Sequence, residues 1–167
     1  MKVFKLLFLV FTSFLITENA ASQDVLLNII TQNSGMVNKK ETIFLEITVC
    51  NTNAITTVPV YKLRPQISFP SDLVSIPDTG HILPPGWTIT YNNGSVVRLS
   101  NGIDEMLPTT CRTILIALKG KAIGGPSTIS GNLTFSNGIA PGSVPGAATP
   151  GDNAADNNST STIIVTR

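Results

Sequence analysis

A chain of 167 residues with 13% charged side chains and a formal net charge of +1 has no basic excess with which to hold nucleic acid or an anionic membrane surface. Its one His and two Cys cannot close a tetrahedral zinc site. Thirteen Gly, eleven Pro and many Thr, Ser and Asn suit β-structure with frequent turns.

Residues 1–22 read as a secretory signal peptide: Met1, Lys2 and Lys5, an apolar run from Leu6 to Ile16, then a polar stretch ending in Ala20-Ala21-Ser22. The run is 11 residues, short of the roughly 20 that a spanning helix needs. Cleavage before Gln23, or after Ala21, leaves a mature chain with nine basic and nine acidic residues. Residues 23–167 are then one domain, large enough for a sizeable core, in a protein that is secreted, periplasmic or at a cell surface. No later apolar run is long enough to span a bilayer, so no membrane span is expected in the mature chain.

In chain order, 24–31 is β-branched and apolar and predicts a first strand, ended by Asn33-Ser34-Gly35; 36–41 reads as a polar connection. The clearest period-two pattern follows at 42–50, with Ile43, Leu45, Ile47 and Val49 on one face and Phe44, Glu46, Thr48 and Cys50 on the other. Pro59 and Pro65 predict two short strands, about 60–63 and 66–69, and four more Pro with Gly80 make 70–86 an irregular connection. Strands at 87–91 and 95–99 flank the hairpin turn Asn92-Asn93-Gly94. The segment 111–118 alternates again, with Ile114, Ile116 and Leu118 on one face. After a turn at 120–126 come a strand at 128–136, a Gly/Pro/Ala/Asn/Asp loop at 137–158 and a final strand at 160–166.

Short strands, no amphipathic helix and turn signals every ten residues or so describe an all-β chain folded as a β-sandwich, with a small Greek-key barrel as the alternative. The order Asn51-Thr52-Asn53, Leu83-Pro84-Pro85-Gly86-Trp87, Leu107-Pro108, the strand 111–118, 129–135 and Asp152-Asn153-Ala154-Ala155-Asp156-Asn157-Asn158 resembles the bacterial cell-surface conserved repeat domain. That family, catalogued as domain of unknown function eleven, is an immunoglobulin-like sandwich common in secreted adhesins. The resemblance covers roughly 23–165, and its most specific piece is Asp156-Asn157-Asn158 followed by Ile163-Ile164-Val165. The chain departs from the pattern at Thr109-Thr110, where members usually carry Gly, and in expanded segments at 65–81 and 140–151. The resemblance implies an immunoglobulin-like sandwich of about 7–9 strands and a spacer, adhesive or interaction module, and it brings no catalytic residues.

It also implies antiparallel pairing of 43–50 with 111–118. Cys50 and Cys111 are out of phase with the apolar faces of those strands, so in this pairing they lie opposed and outward, and a Cys50–Cys111 disulfide is expected. Export supplies the oxidising compartment. A register slip of one residue would instead leave two surface thiols.

Little in the sequence points to catalysis or a cofactor. His81 sits in a Pro-rich loop with no motif around it, and Asp104-Glu105 reads as a solvated turn. Asp152 and Asp156, with Asn153, Asn157 and Asn158, are a calcium candidate by ligand type, but their spacing matches no calcium loop and the preferred reading is a turn bonded to its own backbone. Trp87, Tyr61 and Tyr91 are candidates for a sugar platform, although Trp87 suits the core better. Phe44 and Leu115, outward on their strands, mark an interface if exposed. The expected function is non-enzymatic: an adhesin component, scaffold or subunit of a surface assembly, with other surface or secreted proteins as partners in a homo- or hetero-assembly. A carbohydrate- or ligand-binding module is the alternative.

Overall fold

The computed structural model describes residues 24–137, 140–141, 144–149 and 151–167, so the expected signal peptide at 1–22 lies outside the described residues. Among them, eleven strands form two facing sheets: β1 (Val25–Thr31), β2 (Met36–Asn38), β3 (Thr42–Asn51), β4 (Leu63–Ser68), β5 (Val74–Ser75), β6 (Thr88–Asn92), β7 (Val96–Ser100), β8 (Cys111–Gly120), β9 (Gly124–Ser136), β10 (Pro145–Gly146) and β11 (Asn158–Thr166). The smaller sheet is ordered β1-β3-β8-β5; the larger is ordered β2-β11-β9-β4-β7-β6, with β10 also on β9. Three strands are only two or three residues long, which leaves eight of substance, within the expected range. The fold is the expected all-β, immunoglobulin-like sandwich.

Period-two alternation puts the branched aliphatic residues between the sheets. Ile43, Leu45, Ile47, Val49, Ile114, Ile116 and Leu118 of the smaller sheet meet Leu63, Ile67, Val97, Leu99, Ile129, Leu133 and Ile163 of the larger, all buried. Burying one such side chain is worth about 1.5–3 kcal/mol, and the disulfide about 4 kcal/mol. Two or three core residues therefore match the crosslink, and the core carries the fold.

Three elements differ from expectation. Residues 63–68 form one strand running through Pro65, which pairs with Leu133 of β9. Pro65 is tolerated because the ladder to β7 begins only at Gln66–Arg98; just before it, the Leu63 N–H on that side donates to the Asn101 side chain, 2.9 Å away. Residues 36–38, read as a connection, run parallel to the end of β11. The chain reaches them by crossing from one sheet to the other at Gly35, where φ is +79° and a Cβ would collide with the Thr162 carbonyl. Finally, β9 begins at Gly124 rather than after the expected turn, pairing back onto β11 as far as Val165.

Two edges of the smaller sheet are closed by side-chain and backbone groups together. Along β1 the outward N–H groups of Val25, Leu27, Ile29 and Thr31 donate to Asp152 Oδ1 (3.3 Å), the Asp156 carbonyl (3.0 Å), Ser159 Oγ (3.1 Å) and Ser161 Oγ (2.9 Å). The segment 152–161 thus stitches the edge of one sheet to the start of β11 in the other. Along β8, Ile82 exchanges two backbone hydrogen bonds with Leu115, and the Ala117 N–H donates to His81 Nδ1. Edges covered in this way do not template another strand. Among the described residues no helix is long and apolar enough to cross a membrane.

Candidate functional site

The register of β3 with β8 is unbroken from Thr42–Lys119 to Cys50–Cys111. It sets Cys50 directly opposite Cys111 with Cα atoms 4.0 Å apart, and the two are joined as a disulfide. The same parity turns Phe44 and Leu115 away from the core, both half-buried. Leu115 stands in a row across the outer face of the sheet, Ile30–Glu46–Leu115–Ile82, with Phe44 on the next row opposite Ala117. Ile30 and Ile82, at the ends of that row, are 54% and 56% exposed. The interface residues expected from sequence are therefore brought onto one face and extended by two isoleucines that were not singled out.

Several polar residues have structural tasks. Asp104 is not a solvated turn residue: its Oδ2 accepts from Trp87 Nε1 (2.7 Å) and Arg112 Nε (2.7 Å), and its Oδ1 from Arg112 Nη2 (3.0 Å). Trp87 itself is 4% exposed and belongs to the core, so it takes no part in a sugar platform. His81 Nδ1 accepts the Ala117 N–H, which places its proton on Nε2, donated to the Pro77 carbonyl at 2.8 Å. Both ring nitrogens are engaged in sealing the β8 edge.

The Asp/Asn segment is a clamp. Asp152 Oδ1 accepts from Val25 N, Asp24 Oδ1 from Asn153 N (3.0 Å), and Asp156 Oδ2 from Asn153 Nδ2 (3.2 Å). Asp156 Oδ1 and Asn157 Oδ1 are buried acceptors without a donor among the described residues. Burial first, then the charges of Asp24 and Asp152, raises the Asp156 carboxyl above the usual carboxylate range, while hydrogen bonds from its own backbone and from Asn153 partly offset this. Among the described residues no three His, Cys, Asp or Glu side chains are grouped so as to hold a metal ion.

The outer face of the larger sheet has a different character. Its strands contain no Asp or Glu, and their only charged residues are Arg64 on β4 and Arg98 on β7. Both line a cleft of about 310 Å³ together with Tyr61, Tyr91, Thr90 and Ser100. A β-bulge between Ile89 and Tyr91 places Tyr91 opposite Arg98, so that it faces outward instead of taking the inward turn that regular alternation assigns it. Its ring lies 4.9 Å from the Arg98 guanidinium, whose Nε donates to Gln66 Oε1 at 2.7 Å. Tyr61 reaches the cleft from a left-handed backbone position, φ +57°, held by its N–H to the Gly102 carbonyl. Of the three aromatics weighed from sequence, two, Tyr61 and Tyr91, line the same cleft. The two arginines were missed, and the signal for them was their isolation as the sole charges in strands of Ser, Thr, Val and Ile.

Comparison with protein-family models finds no match, and none is found among curated proteins. Solved structures do resemble the chain. A cohesin module from a family 33 glycoside hydrolase of Clostridium perfringens aligns with TM-score 0.54 at 11% identity, over 84% of this chain and 97% of that one. The complex of a CaDoc0917 variant with CaCohA2 gives 0.50 at 10%, over 84% and 99%. The CARDB domain of the PF1109 protein from Pyrococcus furiosus, in complex with di-metal ions, gives 0.46 at 12%, over 87% and 90%. At such identities the likeness to the first two speaks for architecture alone, and that architecture is an immunoglobulin-like β-sandwich.

Proposed function

We propose that the protein is an exported, non-enzymatic binding module that acts through the outer face of its smaller sheet, as an adhesin component, scaffold or subunit of a surface assembly. The observation that carries the reading is the row Ile30–Glu46–Leu115–Ile82 beside Phe44, in which Ile30, Leu115, Ile82 and Phe44 turn apolar side chains outward around Glu46, on a sheet whose other face already fills the core. Export through a signal peptide at 1–22 belongs to this proposal, and the disulfide supports it, because such crosslinks persist in oxidising compartments. Membership of the bacterial cell-surface conserved repeat family rests on the sequence motifs and is part of the same reading. The sandwich type shared with cohesin modules suits a protein partner.

Mass photometry of the secreted protein, alone and in culture supernatant, is expected to show it in a complex larger than one chain. Phe44→Asp with Leu115→Asp is expected to return it to the mass of a monomer while thermal unfolding stays cooperative. A complex that survives the double substitution, or a wild-type chain that runs as a monomer in both samples, overturns the proposal.

A further inference from the structure

The cleft on the outer face of the larger sheet carries an inference independent of the smaller sheet. Two guanidinium groups, Arg64 and Arg98, share this face one diagonal step apart, since Gln66 pairs with Arg98. Among the described residues lining the cleft there is no Asp or Glu. Arg98 is moreover preorganised. Gln66 holds its Nε and the Tyr91 ring lies against its plane, while its two terminal amino groups make no hydrogen bond among the described residues. A guanidinium fixed in this way presents a fork that matches a carboxylate.

The remaining lining narrows the ligand. Tyr61 and Tyr91 supply ring surface, and Thr88, Thr90 and Ser100 supply hydroxyls. Ser100 is buried and its Oγ accepts from the Gly102 N–H. The volume lies at the small end of the range of about 300–1,000 Å³ for ligand pockets, which suits one or two sugar rings better than an extended peptide. Two local irregularities, the bulge before Tyr91 and the left-handed φ of Tyr61, are what bring the aromatic side chains to the cleft, and backbone strain of this kind concentrates at binding sites.

We infer that this cleft binds an acidic saccharide, its carboxylate on the Arg98 guanidinium and its ring against Tyr61 and Tyr91. The test uses the folded mature chain and a matched pair of probes, methyl glucuronide and methyl glucoside, which differ in the carboxylate alone. Titration followed by amide NMR should show the glucuronide shifting signals of β4, β6 and β7, with the glucoside at least about ten-fold weaker. Arg98→Gln, which retains an amide to pair with Gln66, should bring the glucuronide down to the glucoside's affinity. Tyr91→Ala, at a side chain 42% exposed, should weaken both probes while the melting temperature is unchanged. Equal binding of the two sugars, or no binding of either, overturns the inference. So does a glutamate-rich peptide that outcompetes the glucuronide, since it would place a peptide on the exposed edge of β6, or sulfate that binds as well as the glucuronide, since it would show that the rings add nothing.

Discussion

The smaller sheet turns outward a band of Ile30, Phe44, Leu115 and Ile82 interrupted by Glu46, whereas the larger turns outward Thr, Ser and Asn with Arg64 and Arg98 set among them. Inward, both are built of the same Ile, Leu and Val. The difference goes with backbone regularity. The β3–β8 ladder runs from Thr42–Lys119 to Cys50–Cys111 without a shift, and regular pairing leaves a continuous face suited to another broad surface. The larger sheet is interrupted between Ile89 and Tyr91 and again between Ile163 and Val165. A bulge bends its strand and re-aims side chains, and the outcome here is a hollow of small-ligand size.

Removing the disulfide breaks the comparison most directly. Cys50→Ala with Cys111→Ala is expected to lower stability by about 4 kcal/mol in urea denaturation, with faster amide exchange concentrated at the Cys50–Cys111 end of the smaller sheet. A loss under about 1 kcal/mol would mean that the uninterrupted ladder keeps its face in place without the crosslink. Asp104→Ala should cost about 2–3 kcal/mol, because it strands the Trp87 indole N–H and leaves Arg112 of the smaller sheet without its counter-charge. Asp104→Asn keeps an acceptor for Trp87 and should recover part of that loss; equal losses would assign the whole effect to the ion pair. The smallest effect lies at the seam between the sheets. The folded state raises the Asp156 carboxyl, so its ionisation opposes folding, and its favourable contribution is present in acid and lost as pH rises through the folded value. Asp156→Asn is therefore expected to stabilise at pH 7 by about 0.5 kcal/mol, because the amide carries no charge to bury. Thermal melts should show the gain disappearing below the ordinary carboxylate range.

The smaller sheet was the legible half of the molecule. Strict alternation in 42–50 and 111–118 gave the strand faces, and the resemblance supplied their pairing, so the disulfide and the outward placement of Phe44 and Leu115 followed. In the larger sheet alternation misleads. Counting by twos through 88–92 puts Tyr91 on the inner face, and only the bulge reverses it. Pro65 argued for a break that a locally absent β7 ladder makes unnecessary, and Asp104 looked solvated because its partners, Trp87 and Arg112, stand on either side of it in the chain but converge only in the fold. The cleft was invisible for the same reason: Tyr61, Arg64, Tyr91 and Arg98 come from three strands and a loop, and no spacing in the sequence joins them.

The stitching of β1 to 152–161 has a mechanical consequence. Successive donors at Val25, Leu27, Ile29 and Thr31 meet successive acceptors at Asp152, Asp156, Ser159 and Ser161, so the two segments run in the same direction, as do β2 and the end of β11. Tension between Asp24 and Thr166 would pull β1 backward along β11 while drawing β11 forward. These bonds lie across the line of pull and share the load side by side, instead of opening one after another as in a zipper. A sandwich fastened in this way resists extension in shear, the mode in which a domain tethered at a surface under flow is loaded.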